Sequence, residues 1–220
     1  MADPHELEVL PDAEAAAFRG AEVIAEVASP GGLTIAVSGG RSPWAMLARL
    51  GALGLSWGGS GIWQVDERVA PDGDPDRNLT GLLANLPPEA RAVVRPMPVT
   101  DHDLETAAVR YADGLPERFD VVHLGLGDDG HTASLVPDDP VLQVSDRDVA
   151  VTADYRGRRR MTFTYPLLDR VPFVLWLVAG MDKASVLPLL LASDPSIPAG
   201  RVRAARQLVL ADRAAAAELG

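Results

Sequence analysis

The stretch from Phe119 to Pro137, FDVVHLGLGDDGHTASLVP, constrains this chain more than any other. Val121, Val122, His123 and Leu124 form an apolar run that reads as a buried strand. The run breaks at Gly125, Gly127 and Gly130 and delivers Asp128, Asp129 and His131 into a loop. Glycines suit a chain that turns sharply there or admits a ligand close to its backbone, because without a Cβ they reach positive φ at little cost. The three glycines also satisfy G-x-G-x-x-G. That dinucleotide fingerprint requires a helix opening at the third glycine, its N-terminus against a pyrophosphate. Pro137 and Pro140 leave little room for such a helix, and Asp128 and Asp129 would face the phosphates, so a nicotinamide or flavin site is rejected. What remains is a carboxylate two positions before a histidine, a pairing that can orient and polarise an imidazole of ordinary pKa about 6.5. On these residues alone, an Asp129–His131 site and a capped loop with a solvated histidine stand level.

Composition narrows the ligand. The 220 residues, 47% hydrophobic and without a low-complexity tract, suit one globular domain spanning 1–220. No basic segment followed by an apolar run opens the sequence, and no stretch approaches the roughly 18 apolar residues of a membrane span, so a soluble, cytoplasmic protein is expected. The absence of cysteine removes disulfides, thiolate nucleophiles and cysteine metal sites. A net charge of −11 argues against nucleic acid or an anionic membrane as partner, so positive contacts to an anionic ligand must be local. Lys183 is the only lysine among 20 basic residues.

Asp12 to Ala28 reads as an Ala- and Glu-rich surface helix that stops at Ser29-Pro30-Gly31-Gly32. Leu33 to Val37 follows as a buried strand, then Ser38-Gly39-Gly40-Arg41-Ser42-Pro43, in which Ser42 suits an N-cap and Pro43 the first position of a helix reaching Leu50. A glycine turn into a helix N-terminus offers free N–H groups and the positive end of the helix dipole to a phosphate. A tight turn without a ligand is the common alternative. Ile62 to Val65 is the next strand and ends directly in Asp66-Glu67-Arg68. Arg68 there suits a phosphate, and Asp66 and Glu67 suit hydroxyls or Arg68 itself. Asn78 opens a short helix through Leu86, Ala92 to Met97 a strand, and Asp101 to Gly114 a helix. His5 and His102 read as solvated, and His123 as a core histidine bonded to a neighbour. Val149 to Thr152, Met161 to Thr164 and Phe173 to Ala179 read as strands, with Arg156 to Arg160 between the first two as a solvated basic face. After the third, Asp182 would cap a helix reaching Leu191, leaving Lys183 in its first turn. A cation there opposes the dipole by roughly a few tenths of a kcal/mol, which a bound anion would offset. Gln207 to Leu210 reads as a last strand and Ala211 to Leu219 as a terminal helix. The alternation implies an α/β fold: a single doubly wound, mostly parallel sheet flanked by helices, Rossmann-like in layout.

In order, Ser38-Gly39-Gly40-x-Ser42-Pro43, Asp66-Glu67-Arg68, Gly125-x-Gly127-x-Asp129-Gly130-His131-Thr132-Ala133-Ser134-Leu135-x-Pro137, Arg160-x-Thr162 and Gly180-x-x-Lys183 resemble the motifs of the 6-phosphogluconolactonase family. The resemblance runs from about Val37 to Arg213. Thr-Ala-Ser-Leu after the histidine differs from Ile-Ala-Phe-Asn, typical of the related glucosamine-6-phosphate deaminases. The resemblance implies hydrolysis of 6-phosphoglucono-δ-lactone in the pentose phosphate pathway, with no cofactor and no metal. The expected partner is a small phosphorylated sugar lactone, bound by a monomer or small homo-oligomer. With neither a cysteine nor a G-x-S-x-G elbow, water is the expected nucleophile. His131 is then the expected base and Asp129 its orienting group. The Ser38 to Ser42 loop (Gly39, Gly40 and Arg41 through their N–H groups), Arg68 and Lys183 would hold the phosphate. Asp66, Glu67 and Asn78 would support the loop or meet sugar hydroxyls. An amino-sugar phosphate isomerase or deaminase with Asp66 as base, and a non-catalytic sugar-phosphate sensor, stay open. No H-E-x-x-H spacing supports a metal hydrolase.

Overall fold

Short apolar runs alternating with helices can bury both faces of each strand only in a parallel sheet covered on both sides. The computed structural model, which describes residues 5–28, 31–55 and 57–219, has that form. Its elements in chain order are β1 (His5–Leu10), α1 (Ala13–Val27), β2 (Thr34–Val37), α2 (Arg41–Ala52), β3 (Gly61–Gln64), β4 (Asp66–Arg68), α3 (Asn78–Asn85), α4 (Pro88–Arg91), β5 (Val94–Arg95) and α5 (Leu104–Asp113). There follow β6 (Val121–Leu124), β7 (Val149–Val151), β8 (Arg160–Phe163), α6 (Tyr165–Leu168), β9 (Phe173–Val178), α7 (Leu187–Leu191) and β10 (Arg206–Asp212).

The seven-stranded sheet has the order β1-β10-β9-β6-β2-β3-β5, with every pairing parallel. The chain runs outward from β2 through β3 to β5, returns to β6 beside β2, and runs outward the other way. The order therefore reverses between β2 and β6, and the carboxyl ends of those two strands open the crevice where such sheets take ligands. Ile35, Ile62, Val121 and Leu175 pack on one face against Ile24 of α1 and Met46, Leu47 and Leu50 of α2. Val122, Leu124, Val174 and Trp176 pack on the other against Tyr111 of α5 and Leu187 of α7. The expected α/β doubly wound sheet is the one that forms. No helix among the described residues is long and apolar enough to cross a membrane.

Several local expectations are corrected. Asp66 to Arg68, read as the charged end of the Ile62–Val65 strand, forms a strand of its own, β4, which pairs antiparallel with β8 in a second, three-stranded sheet ordered β4-β8-β7. Its charged side chains hid it, since pairing there is carried by the backbone while the Asp66 and Arg68 side chains line the crevice. Ser42 does not cap α2; the helix opens at Arg41 behind Gly40, whose φ of 135° favours glycine. Pro43 then falls in the first turn, where N–H groups have no intrahelical partner in any case. Asp182 caps nothing. Met181–Lys183 is a short 3-10 turn, and α7 starts only at Leu187 because Pro188 cannot sit inside a continuous helix. The tail is not helical: Ala211 and Asp212 complete β10, and turns follow, with the Asp212 carboxylate accepting the N–H groups of Gly180 and Ala215. The alanine run signalled a helix by propensity alone, which tertiary context overrides. The strand β1, rich in glutamate, went unread, and His5 within it is buried rather than solvated, whereas His102 is exposed. Ser29 and Pro30, read as the stop of α1, lie outside the described residues.

His123 is in the core as expected, but neither ring nitrogen has a hydrogen-bond partner among the described residues. Burial pushes its pKa down to about 3. The native state thus keeps the ring neutral while the unfolded chain protonates it below about pH 6.5. Stability must fall as pH drops from about 6.5 towards about 3, by an amount on the order of 5 kcal/mol in all. In urea unfolding between about pH 6 and about pH 4, wild type should lose stability faster than His123→Leu; parallel losses would refute the assignment.

Candidate active site

A cleft of about 330 Å³ opens at the reversal point between β2 and β6. From β6 the chain enters the glycine loop, where the Gly127 N–H donates to the His131 carbonyl (2.8 Å) and the Gly130 N–H to the Gly127 carbonyl (3.1 Å). The tight loop folds the imidazole back over Gly127, where any Cβ would lie 2.0 Å from His131 Nδ1. Gly130 has φ +79°, and a Cβ on it would meet Ile197 at 2.5 Å. His131 Nδ1 lies 2.5 Å from Asp129 Oδ1, which also accepts the His131 N–H at 3.1 Å. Tyr155 donates its hydroxyl to Asp129 Oδ2 at 2.8 Å. Partial burial raises the Asp129 pKa, but the His131 amide, the imidazole and the Tyr155 hydroxyl outweigh it and hold the carboxyl at about 2. Asp129 is a carboxylate at any physiological pH and fixes the imidazole with Nε2 free towards the cleft.

The rest of the lining is rich in cations. Arg68, Arg156, Arg160 and Lys183 line the cleft with Asp66, Asp128 and Asp182. Arg68 donates to the Asn78 side-chain oxygen (2.9 Å) and the Asp76 carbonyl (2.7 Å). Asn78 donates in turn to Asp66 Oδ1 at 3.1 Å, and Ser134 donates to Asp66 Oδ2 at 2.6 Å. Burial raises the Asp66 pKa, opposed by the Ser134 hydrogen bond and the charges of Arg68 and Arg160. Arg160 is 8% exposed, reaches the Ser134 hydroxyl at 3.4 Å and has no partner for its Nε among the described residues. Lys183 Nζ pairs with Asp182 at 2.8 Å. The N–H groups of Gly39, Gly40 and Arg41 donate to no protein group among the described residues. Gly39 packs against Asn78, whose oxygen would lie 2.0 Å from a Cβ there.

Of the residues singled out in the sequence, the cleft gathers Ser38, Gly39, Asp66, Arg68, Asn78, His131 and Lys183 on its lining, with Asp129 behind His131. Arg41 and Ser42 line a neighbouring cavity of about 590 Å³ instead, between α1 and α2, and Gly40 makes the turn between the two cavities. Glu67 is fully buried beneath the site, where it accepts the N–H groups of Asn78 and Leu79 at the start of α3. Tyr155 and Arg156 escaped sequence reasoning, and Arg160 stood only within the family motif Arg160-x-Thr162, without a role. Their run was read as a solvated basic face, which describes Arg158 and Arg159: they pair with Asp74 and Asp76, and with Glu105. The usable signal was Arg160 as the first residue of an apolar strand, a poor place for an unemployed guanidinium.

A cationic cleft holding a carboxylate–histidine pair, at the reversal point of a doubly wound sheet, defines an α/β protein suited to a small anionic metabolite. The particular family follows from comparison: the model of the glucosamine-6-phosphate isomerases/6-phosphogluconolactonase family matches residues 11–210, and the chain belongs to that family. A 6-phosphogluconolactonase of Nostoc sp. is 33% identical over 238 residues, covering 97% of this chain and 98% of that protein. One of Streptomyces coelicolor is 35% identical, covering 94% of this chain and 90% of its own length. Among solved structures, a 6-phosphogluconolactonase from Thermotoga maritima superposes with a TM-score of 0.81 at 23% identity, over 94% of this chain and 99% of that one. A monomeric glucosamine-6-phosphate deaminase also reaches 0.81, at 19% identity, over 97% of this chain and 99% of that one. At these identities the two structures share the fold and decide nothing between the two chemistries.

Proposed function

We propose that this chain is a lactonase that hydrolyses 6-phospho-D-glucono-1,5-lactone to 6-phospho-D-gluconate, the hydrolytic step of the oxidative pentose phosphate pathway. The observation that carries the reading is the Asp129–His131 pair together with Arg68, Arg160 and Lys183 in one small cleft. The named relatives lend it their activity. The phosphate lies against Arg68, Lys183 and the free N–H groups of Gly39 and Gly40, which fixes the lactone carbonyl near His131. His131 Nε2 takes a proton from water as the water oxygen bonds to C1. The tetrahedral oxyanion collapses, the C1–O5 bond breaks, and the imidazolium returns its proton to O5. The new acid loses its own proton to solvent. Asp66, with one carboxylate oxygen on Ser134 and the other on Asn78, supports the wall.

The test is an assay with freshly generated lactone, coupled to oxidation of the 6-phosphogluconate produced and read above spontaneous hydrolysis. Acceleration by wild type is expected. In Lys183→Ala, KM should rise about ten- to a hundred-fold, as for loss of a charge-assisted contact, with kcat little changed. No acceleration, with ammonia released from glucosamine 6-phosphate, would replace this reading by the deaminase.

A further inference from the structure

The hairpin after β7 crosses to the catalytic loop and meets it at Asp128, through Arg156 at 3.7 Å, and at Asp129, through Tyr155. Tyr155 and Arg158 pair across a two-residue turn in which Arg156 (φ 54°) and Gly157 (φ 82°) are both left-handed, the geometry of a tight hairpin. The hairpin's far side is tied down by the ion pairs of Arg158 with Asp74 and Asp76. On its near side the Tyr155 hydroxyl reaches Asp129 Oδ2 at 2.8 Å, and the tyrosine ring stands edge-on to His131 with centroids 6.0 Å apart. Arg156 and Arg160 flank the same ring, each guanidinium 5.0 Å from its centroid, which leaves the phenol little freedom to turn.

We infer that Tyr155 is a positioning residue for catalysis: its hydroxyl locks the Asp129 carboxylate in the rotamer that holds His131 Nδ1–H and leaves Nε2 as the base. The reasoning is geometric. Asp129 Oδ1 takes both His131 donors, the ring N–H and the backbone N–H, while the Tyr155 hydroxyl is the side-chain donor to Oδ2. A carboxylate held at one oxygen can swing about its terminal torsion, which is broad for Asp; a carboxylate held at both cannot. Losing the hydroxyl therefore frees the acceptor on which the imidazole tautomer depends.

This inference rests on the lactonase reading for its kinetic arm but not for its spectroscopic one. In Tyr155→Phe, which keeps the ring and both guanidinium contacts, kcat should fall about ten-fold with KM within about two-fold of wild type. Nitrogen-15 NMR of neutral His131 should show the Nδ1–H tautomer in wild type and a mixture of tautomers in the variant. In an Asp129→Asn background the same replacement should cost little more, because the group it acts through has already changed. An unchanged kcat together with an unchanged His131 tautomer would overturn the inference, as would a full ten-fold loss persisting in the Asp129→Asn background. If wild type opens no lactone, the proposed reaction fails while the His131 spectrum still decides the contact, so the two failures are distinguishable.

Discussion

Replacing His131 with alanine is expected to lower kcat for lactone hydrolysis about a thousand-fold, with KM changed by no more than about three-fold. In the proposed mechanism the imidazole is the group that takes and returns the proton. Nothing in the proposed phosphate contacts passes through it, so ground-state binding survives the loss. The substitution is structurally mild: the side chain is 22% exposed, and its side-chain partners are Asp129 and the edge of Tyr155. Removing it opens the cleft floor above Gly127 to water rather than leaving a dry void in the core. The residual rate should still exceed spontaneous hydrolysis, since the anchored phosphate and the cations keep the lactone placed and polarised. Single-turnover and steady-state rates on wild type and variant measure this directly. A variant turning over within ten-fold of wild type would remove His131 as the base and leave the cationic wall as the principal catalytic feature.

How much of this was readable in the sequence depended on whether a residue's role was set by its neighbours in the chain or by its neighbours in space. The glycine loop was readable because its cause is local: a buried run, then glycines, then charges, leaves the chain one way to place Asp129 and His131. Ser38, Arg68 and Lys183 were readable for the same reason, each standing at the end of an apolar strand, where a parallel sheet gathers its ligand contacts. Tyr155 was not, and Arg160 stood in a motif but had no place in the site. Their place follows from an antiparallel pairing, Arg68 opposite Arg160 and Asp66 opposite Thr162, between strands 94 positions apart or so in the chain, and no periodicity records such a pairing. The start of α2 was misread because Ser42 and Pro43 are good opening residues in general, while Gly40 opens the helix through a conformation that composition does not show.

Glu67 is the sharpest case, and its replacement carries a large stability effect. A carboxylate at a strand end has the same chemistry whether it faces a sugar or a peptide, and here it faces the peptide. Its oxygens accept N–H groups from Arg68 (2.8 Å), Asn78 (2.7 Å), Leu79 (2.8 Å) and the Gln64 amide (2.9 Å), and Arg77 Nε lies 3.0 Å away as an ion pair. Glu67 therefore acts as the N-terminal anion of α3 from another strand, and it does the work that Arg77, at the cap position, cannot do with its own side chain. Glu67→Leu keeps roughly the volume but strands those donors and the Nε of buried Arg77, whose Nη1 keeps Asp72 and the Ala70 carbonyl, so unfolding free energy should drop by about 3–5 kcal/mol. Because α3 carries Asn78, which holds both Arg68 and Asp66, the folded fraction should also bind its phosphorylated substrate poorly. Urea unfolding followed by far-ultraviolet circular dichroism reads the first effect, and KM under conditions where the variant is folded reads the second. If stability falls by less than about 1 kcal/mol, those N–H groups have found other acceptors, and the buried carboxylate is not what seats the helix under the site.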